Sequence, residues 1–297
     1  MLRKAFRDLK NNDPLRMAAA TAFFTTFALP AILIILIQLF GLVVGRRTMS
    51  RHLFDHLEQI VGDGGVLQIR STLRAFRNFS QSWYITLGGF IFLVFVATTL
   101  FKIIRDSLNQ LWNIKVHDHS GVVFTIRQRL RSIGIIFLAG LLFMASLLIE
   151  AMQTILMDYI NEIWSGSTSL LYAILNQLLS VLVVTIWFAT VFRYLANGRP
   201  VWRVAIVGGL VTGILFTIGK LLIGWLLGFG NLNSFFGASA SFVLILLFVF
   251  YSSFILYFGG TFTSAWGDYV NKPIAPGTHA YKYVLTEIKT EESPAQK

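Results

Sequence analysis

The sequence predicts an all-α integral membrane protein with six transmembrane helices, and three observations support this prediction. Hydrophobic residues make up 55% of the 297 residues and charged residues only 13%, whereas a soluble domain carries about 25% charged residues. Several windows without a charged residue reach or approach the roughly 20 residues that a helix needs to cross the hydrocarbon core. The lysines and arginines concentrate between alternate windows, as in a membrane protein with one fixed orientation.

The charge-free windows place the helices along the chain. The last window covers 221–267 and is too long for one span, and its glycine-rich stretch at 228–234 predicts a turn. The third and fifth spans reach full length only if Glu150 and Lys220 lie inside the membrane. The polar residues 271–297 are expected to form a flexible cytoplasmic tail. We expect six spans, at about 20–45, 83–105, 133–157, 170–195, 204–227 and 239–265.

Positive charge predicts the orientation of these spans. With six spans both termini lie on one side, and 18 of the 25 lysines and arginines fall on that side, six on the other and Lys220 within a span. The positive-inside rule therefore predicts that both termini are cytoplasmic. The net charge of +11 follows from this topology and from attraction to anionic membrane lipids, which we expect as partners. We expect no nucleic-acid partner, because the chain has no basic face interleaved with aromatic residues.

The outer segment 46–82 contains two amphipathic runs at helical spacing, one on each side of the glycine-rich stretch 62–65. We expect two short helices that form a hairpin on the outer face, with Arg70, Arg74 and Arg77 on its polar side. This hairpin is either a lid that contacts lipid headgroups or a peripheral element that only covers helix ends.

The sequence offers little for catalysis. It contains no cysteine, and its five histidines lie outside the expected spans. His52 and His56 have the spacing of a metal pair, but no glutamate follows the first and no third ligand is near, so surface histidines are the better interpretation. The motifs of a nucleophile elbow and of a phosphate-binding loop are also missing from the sequence. We therefore expect no enzyme, no metal site and no cofactor.

Two charges inside the expected spans stand out, because each costs about 2.5–3.5 kcal/mol at the centre of a bilayer. Glu150 and Lys220 both lie about 24–26 Å along outward-running helices, at 1.5 Å per residue. This matching depth allows either an ion pair between the third and fifth spans or separate contact of each side chain with the outer headgroups.

Other residues predict how the helices pack. Pro30 removes a backbone hydrogen bond in the first span and predicts a kink there. Gly209 and Gly213, like Gly224 and Gly228, form pairs of small residues that permit close contact between helices. These features suit a transporter with interrupted helices, and they suit an ordinary packed bundle equally.

Five motifs occur in a characteristic order over roughly residues 10–270, and together they resemble one family. They are Arg16–Phe24 with Leu29 and Pro30, Asn109–Lys115, Arg199–Arg203, Gly219–Leu222 and Asn233–Ser239. This set is similar to the YihY/BrkB family of bacterial envelope proteins, once mislabelled as ribonuclease BN. Relatives often have Tyr-Gly or Gly-Ala-Glu where this chain has Phe236-Gly237 and Gly259-Gly260-Thr261.

The resemblance implies a six-helix inner-membrane protein linked to envelope integrity and to export of lipid or lipopolysaccharide. Two other functions stay open: a non-transporting scaffold or assembly partner in the envelope, and an exporter of small solutes or ions. Arg16 could instead be a positive-inside anchor, and Asn109 a helix cap. The expected lipid-path residues are Arg16, Thr21, Asn109, Glu150 and Lys220, and the expected headgroup contacts are Arg70, Arg74 and Arg77.

Overall fold

The computed structural model describes residues 1–78, 83–117, 126–142, 144–145, 168–229 and 240–284, and helices dominate these ranges. The helices are α1 (Leu2–Lys10), α2 (Pro14–Val44), α3 (Arg46–Asn78), α4 (Trp83–Leu111), α5 (126–142), α6 (Thr168–Thr190), α7 (Trp202–Phe229) and α8 (Ala240–Tyr269). Four short strands accompany them: β1 (Ile114–Val116), β2 (Gly198–Arg199), β3 (Ala275–Pro276) and β4 (Ala280–Lys282). A π-helical turn, Val191–Leu195, continues α6.

Within the described part of the chain, four helices are long and apolar enough to cross a membrane. They contain most of the first span and of the last three spans that the sequence predicts, so the chain is a multi-pass membrane protein. The second expected span lies in α4, and the third begins in α5. Residue 143 and residues 146–167, with Glu150, lie outside the described residues. The four candidate spans are Pro14–Ile37, Gln177–Leu195, Trp202–Leu222 and Ile245–Tyr269.

Helix α2 begins and ends at residues suited to those positions. Pro14 occupies the first turn, where its missing N–H has no helical partner to lose. Gly45 ends the helix with a φ of 92°, a conformation that favours glycine. Pro30 lies inside α2, and the kink expected there stays a prediction.

The segment 46–78 differs from the expected pair of separate helices. It is helical without a break through Gly62, where the sequence predicts an interruption. Residues 54 and 70 would nevertheless lie about 24 Å apart along a straight helix, whereas Arg70 Cζ lies 4.5 Å from the centre of the Phe54 ring. The helical segment must therefore bend sharply between these residues. The expected interruption of the helix is wrong, because the backbone stays helical through these glycines. The sharp bend nevertheless brings the two halves of the segment side by side, as in the expected hairpin.

Several helix ends meet at one end of the bundle, which we call the junction end. Strand β1, after α4, pairs antiparallel with β4, and β2, after the π-helical turn, pairs antiparallel with β3. Helix α1 packs beside the same end of α8, where Lys4 Nζ lies 2.7 Å from Asp268 Oδ2. The junction end therefore gathers α1, the C-terminal ends of α4, α6 and α8, and the start of α7.

The segment after α8 corrects the expectation of a flexible tail from residue 271. Residues 275–276 and 280–282 form strands, and Ile274 is only 3% exposed. Main-chain hydrogen bonds and one buried apolar side chain hold this polar segment against the junction end. Residues 285–297 lie outside the described residues.

Glycines bring α6 and α7 close together. A Cβ at Gly209 would lie 2.6 Å from the carbonyl oxygen of Thr185 and 2.8 Å from the amide nitrogen of Ala189. At Gly213 a Cβ would lie 3.1 Å from Thr185 Oγ1. At both positions a missing Cβ lets α7 approach α6 closely, which is the kind of contact that pairs of small residues permit. The surroundings of Gly224 and Gly228 lie beyond what the structure describes.

Helices α7 and α8 share a reciprocal contact. Thr263 on α8 lies over Gly208 on α7, and Thr212 on α7 lies over Gly259 on α8. Each threonine hydroxyl donates to the carbonyl oxygen four residues earlier at 2.6 Å, so neither is left unpaired in the core. We call this arrangement the threonine–glycine exchange.

Candidate functional site

The structure distributes the predicted site residues rather than gathering them. Thr21 is buried in α2, where its hydroxyl forms a hydrogen bond with the hydroxyl of Tyr257 on α8. Tyr257 is itself fully buried. This contact joins α2 to α8 and occupies the polar group of Thr21, so its observed role is packing.

Arg16 lies at the surface, and Lys220 lies in the second half of α7. The Arg16 side chain is well exposed and lies 3.7 Å from the carboxylate of Asp13, at the start of α2. Lys220 is half-buried in α7, and the described residues provide no carboxylate beside it. Whether Glu150 pairs with Lys220 concerns a residue outside the described ranges.

Of the three outer arginines, only the Arg70 side chain is described. It lies over the Phe54 ring, and its Nε is buried with no hydrogen-bond partner among the described residues. The side chains of Arg74 and Arg77, on the same helical segment, lie outside the described residues. The headgroup contacts expected of this trio stay a prediction.

Asn109, in contrast, lies directly behind a cavity at the junction end. Its Oδ1 accepts a hydrogen bond from the backbone N–H of Asn197 at 2.9 Å. The carbonyl oxygen of Asn197 in turn accepts from the N–H of Gly277 at 2.8 Å. Asn197 follows the π-helical turn, and π-helical turns occur frequently at functional sites.

Two further contacts fix the backbone around Asn197. Arg105, which is 2% exposed, donates from Nε to the carbonyl oxygen of Leu195 at 3.2 Å. Gly198 leaves no room for a Cβ, which would lie 2.5 Å from the Trp112 ring. The segment that carries Asn197 is therefore restrained by α4 and by the segment after α8.

Arg105 also positions α5. Its Nη1 donates to Gln128 Oε1 at 2.6 Å, and its Nη2 donates to Ser132 Oγ at 2.8 Å. Charge-assisted hydrogen bonds of this kind are short and directional. One buried guanidinium thus holds the start of α5 at a fixed distance from the π-helical turn.

The cavity that these elements enclose has a volume of about 540 Å³. We call it the arginine cavity, because Arg127 and Arg131 from α5 and Arg199 from β2 line it. Its remaining wall is formed by Gln128, Leu130, Asn197 and residues 277–280. None of these described lining residues is acidic, so the cavity carries an excess of positive charge.

Electrostatics in the cavity disfavour the charge of Arg131. Burial lowers the pKa of the Arg131 guanidinium, and the neighbouring charge of Arg199 lowers it further. Both causes oppose the charged form, which arginine nevertheless keeps at neutral pH. An anion in the cavity would offset both the burial of the guanidinium and the repulsion by Arg199.

An apolar surface begins at the rim of this cavity. Exposed side chains recur along α5 at spacings of four, three, four and four residues, which places them on one helix face. Leu130, 62% exposed, belongs both to this face and to the cavity wall. We call it the α5 stripe: Ile126, Leu130, Ile133, Phe137 and Leu141.

Sequence reasoning missed this site for an identifiable reason. In the sequence, Arg127 and Arg131 stand out only as charges that set the orientation of the spans, and Arg199 only as such a charge and as part of the motif Arg199–Arg203. The strand pairing that brings Arg199 and residues 277–280 to α5 leaves no periodic signal in strands of two or three residues. Among the residues that the structure describes, no group of three or more histidines, aspartates or glutamates could hold a metal ion.

Comparison with known proteins adds a family relationship. A family described as virulence factor BrkB matches residues 5–280. A UPF0761 membrane protein of Mannheimia succiniciproducens is 27% identical over 186 residues, which are 61% of this chain and 60% of that protein. A UPF0761 membrane protein of Actinobacillus pleuropneumoniae is 31% identical over 183 residues, 60% of this chain and 61% of that protein.

A third relative, a UPF0761 membrane protein of Saccharophagus degradans, is 25% identical over 236 residues, or 79% of this chain and 52% of that protein. The chain therefore spans between about half and three fifths of the length of these curated relatives. No solved structure matches the chain.

Proposed function

This chain belongs to the virulence factor BrkB family of membrane proteins, and from that premise we propose that it moves a lipid or another amphiphile across the inner membrane of a bacterial cell. A contribution to envelope integrity is part of the same proposal. The proposed movement of an amphiphile is supported by the continuity between the arginine cavity and the α5 stripe, which meet at Leu130.

An amphiphile needs two different surfaces at once. Its charged headgroup requires polar partners, because an unpaired charge in an apolar environment costs several kcal/mol. Its chains require an apolar surface that faces the bilayer. The cavity offers guanidinium and amide donors, and the α5 stripe offers exposed aliphatic and aromatic side chains next to them.

The orientation that we propose places the junction end in the cytoplasm. Most lysines and arginines of the sequence fall on the side that carries α1 and the segment after α8. The cytoplasmic leaflet is also the more anionic one, so a basic cavity would face its ligand there. We further propose that the protein acts as a translocator and not as an enzyme.

Reconstitution tests this function. The full chain is placed in phosphatidylcholine liposomes that contain a fluorescent phospholipid, and access of the label to an external quencher is followed with time. We expect faster loss of protected fluorescence than in protein-free liposomes. Replacing Leu130 by glutamine should slow this exchange, because a polar side chain interrupts the apolar path at the cavity rim.

A matched variant separates this path from general damage. Ile206 is 49% exposed and lies four residues into α7, at the same end of the bundle. I206Q therefore adds the same amide to another exposed apolar position near the junction end and should leave the exchange rate unchanged. Equal rates with and without folded protein, or equal slowing by both variants, would contradict the proposal and favour a scaffold.

A further inference from the structure

We propose that the arginine cavity binds a phosphate group, held by the guanidinium groups of Arg127, Arg131 and Arg199 and by the side-chain amide of Asn197. That this phosphate is the headgroup of a membrane lipid rests on the function proposed above. The phosphate site itself rests only on the cavity.

Charge is the first argument. Three guanidinium groups from two elements face one space, and none of the described residues around it is acidic. The planar guanidinium presents paired N–H donors that match phosphate oxygens, which a lysine ammonium does not. A carboxylate brings one negative charge and two oxygens, whereas a phosphate brings a larger negative charge and at least three acceptor oxygens to the three guanidinium groups.

Asn197 supplies the second and independent argument. The residue is 9% exposed and lines the cavity, and its Nδ2 has no hydrogen-bond partner among the described residues. This nitrogen is itself buried, so a rotation of the amide brings it to the cavity surface. A buried donor without an acceptor costs about 1–3 kcal/mol. The backbone of Asn197 is held on both sides, by Asn109 and by Gly277, so the side chain cannot move far from the cavity. A phosphate oxygen is an acceptor that would satisfy it.

Size is the third argument. A volume of about 540 Å³ lies within the range of about 300–1,000 Å³ that small-molecule sites occupy. This space is larger than an inorganic phosphate and accepts a phosphate with a glycerol-sized group attached. The α5 stripe starts where such a group would leave the cavity, at Leu130.

The direct test is titration of inorganic phosphate into the full chain in phosphatidylcholine nanodiscs, followed by calorimetry. We expect saturable binding that R131Q weakens about tenfold or more, the loss typical of a hydrogen bond to a charged group. The control is R129Q, because Arg129 is exposed on the same helix, lies over the Phe95 ring and does not line the cavity. This variant removes the same charge and should bind phosphate as the wild type does.

A second pair of variants covers the case in which R131Q does not fold. Arg127 and Arg199 are both exposed, so R127Q/R199Q should keep the fold and still weaken phosphate binding. Its control is R129Q/R203Q, which removes two exposed arginines outside the cavity. Absence of phosphate binding to the folded wild type, or equal weakening by both double variants, would overturn the phosphate site.

The source of the phosphate is tested by competition. Nanodiscs of phosphatidylcholine with phosphatidic acid should raise the apparent Kd for inorganic phosphate, whereas nanodiscs with oleate at the same surface charge should not. Equal competition by oleate would overturn the preference for phosphate. Phosphate binding without competition by phosphatidic acid would assign the site to a soluble phosphate compound and overturn the lipid headgroup. Phosphate binding in a protein that does not exchange lipid would refute only the proposed function.

Discussion

Replacing Gly209 by alanine should separate α6 from α7, and the structure fixes the size of the effect. The added Cβ would lie 2.6 Å from the carbonyl oxygen of Thr185 and 2.8 Å from the amide nitrogen of Ala189. Both are backbone atoms, which no rotamer change can move away. The two helices must therefore shift by several tenths of an ångström, and overpacking of this kind costs about 1–3 kcal/mol.

Two other glycines provide an internal scale for this prediction. A Cβ at Gly213 meets the Thr185 hydroxyl first, at 3.1 Å, and backbone only at 3.4 Å, so G213A should cost much less than G209A. A Cβ at Gly134 on α5 meets nothing within 4 Å. G134A should therefore raise the free energy of unfolding by up to about 1 kcal/mol, because alanine has a higher helix propensity than glycine.

The assay is reversible unfolding of the purified chain in mixed micelles of mild detergent and dodecyl sulfate, with the free energy of unfolding taken from the transition. The expected order of stability is G134A, then wild type, then G213A, then G209A. A G209A variant as stable as G134A would refute the close approach of α6 and α7. A G213A variant less stable than G209A would refute the assignment of the tighter contact.

Three further predictions concern single interactions. Y257F removes the partner of the Thr21 hydroxyl and should lower the free energy of unfolding by about 1–3 kcal/mol. In a double-mutant cycle, adding T21V to Y257F should lower the free energy of unfolding only slightly further. R105Q leaves the polar groups that hold α5 without their buried partner and should lower the unfolding midpoint more than R129Q does. The hydrogen bond to Asp268 raises the pKa of Lys4 above 10.5, so its stabilisation is complete below that pH and disappears as pH rises through the raised value. The pair is solvent-exposed and contributes less than about 1 kcal/mol to stability. The measurement is the unfolding midpoint as a function of pH. K4M should show a smaller loss of stability at alkaline pH than the wild type, because it lacks this contribution.

Four of the long helices could be predicted because they are apolar enough to cross a membrane. The charge-free windows correspond to most of α2, α6, α7 and α8, and the α6–α7 contact was visible in Gly209 and Gly213. The unbroken helix through residues 62–65 could not be predicted, because the low helix propensity of glycine is a local quantity that tertiary context can override.

The candidate site was harder to predict because residues distant in sequence build it. Asn109 was identified from its motif, but its partner Asn197 follows a π-helical turn that no hydrophobic period reveals. Arg131 and Arg199 resemble ordinary positive-inside arginines until strand pairing brings them to one cavity. The position of arginines along the chain indicates the orientation of the spans in the membrane. Which arginines lie close together in space can be seen only from the fold.

The threonine–glycine exchange has a consequence for how this protein could move. Sliding α7 past α8 by one turn would bring Thr212 onto Thr263, two side chains where the observed register places a side chain against a bare backbone. Shear in that direction therefore meets a steric barrier, whereas shear in the opposite direction would set Gly208 against Gly259 and lose the packing of both threonines. The close approach at Gly209 joins α6 to the same unit. The contact of α5 with α4 depends instead on long polar side chains, through the hydrogen bonds of Arg105 and the approach of Arg129 to the Phe95 ring. Side-chain rotation can release these contacts without moving either backbone.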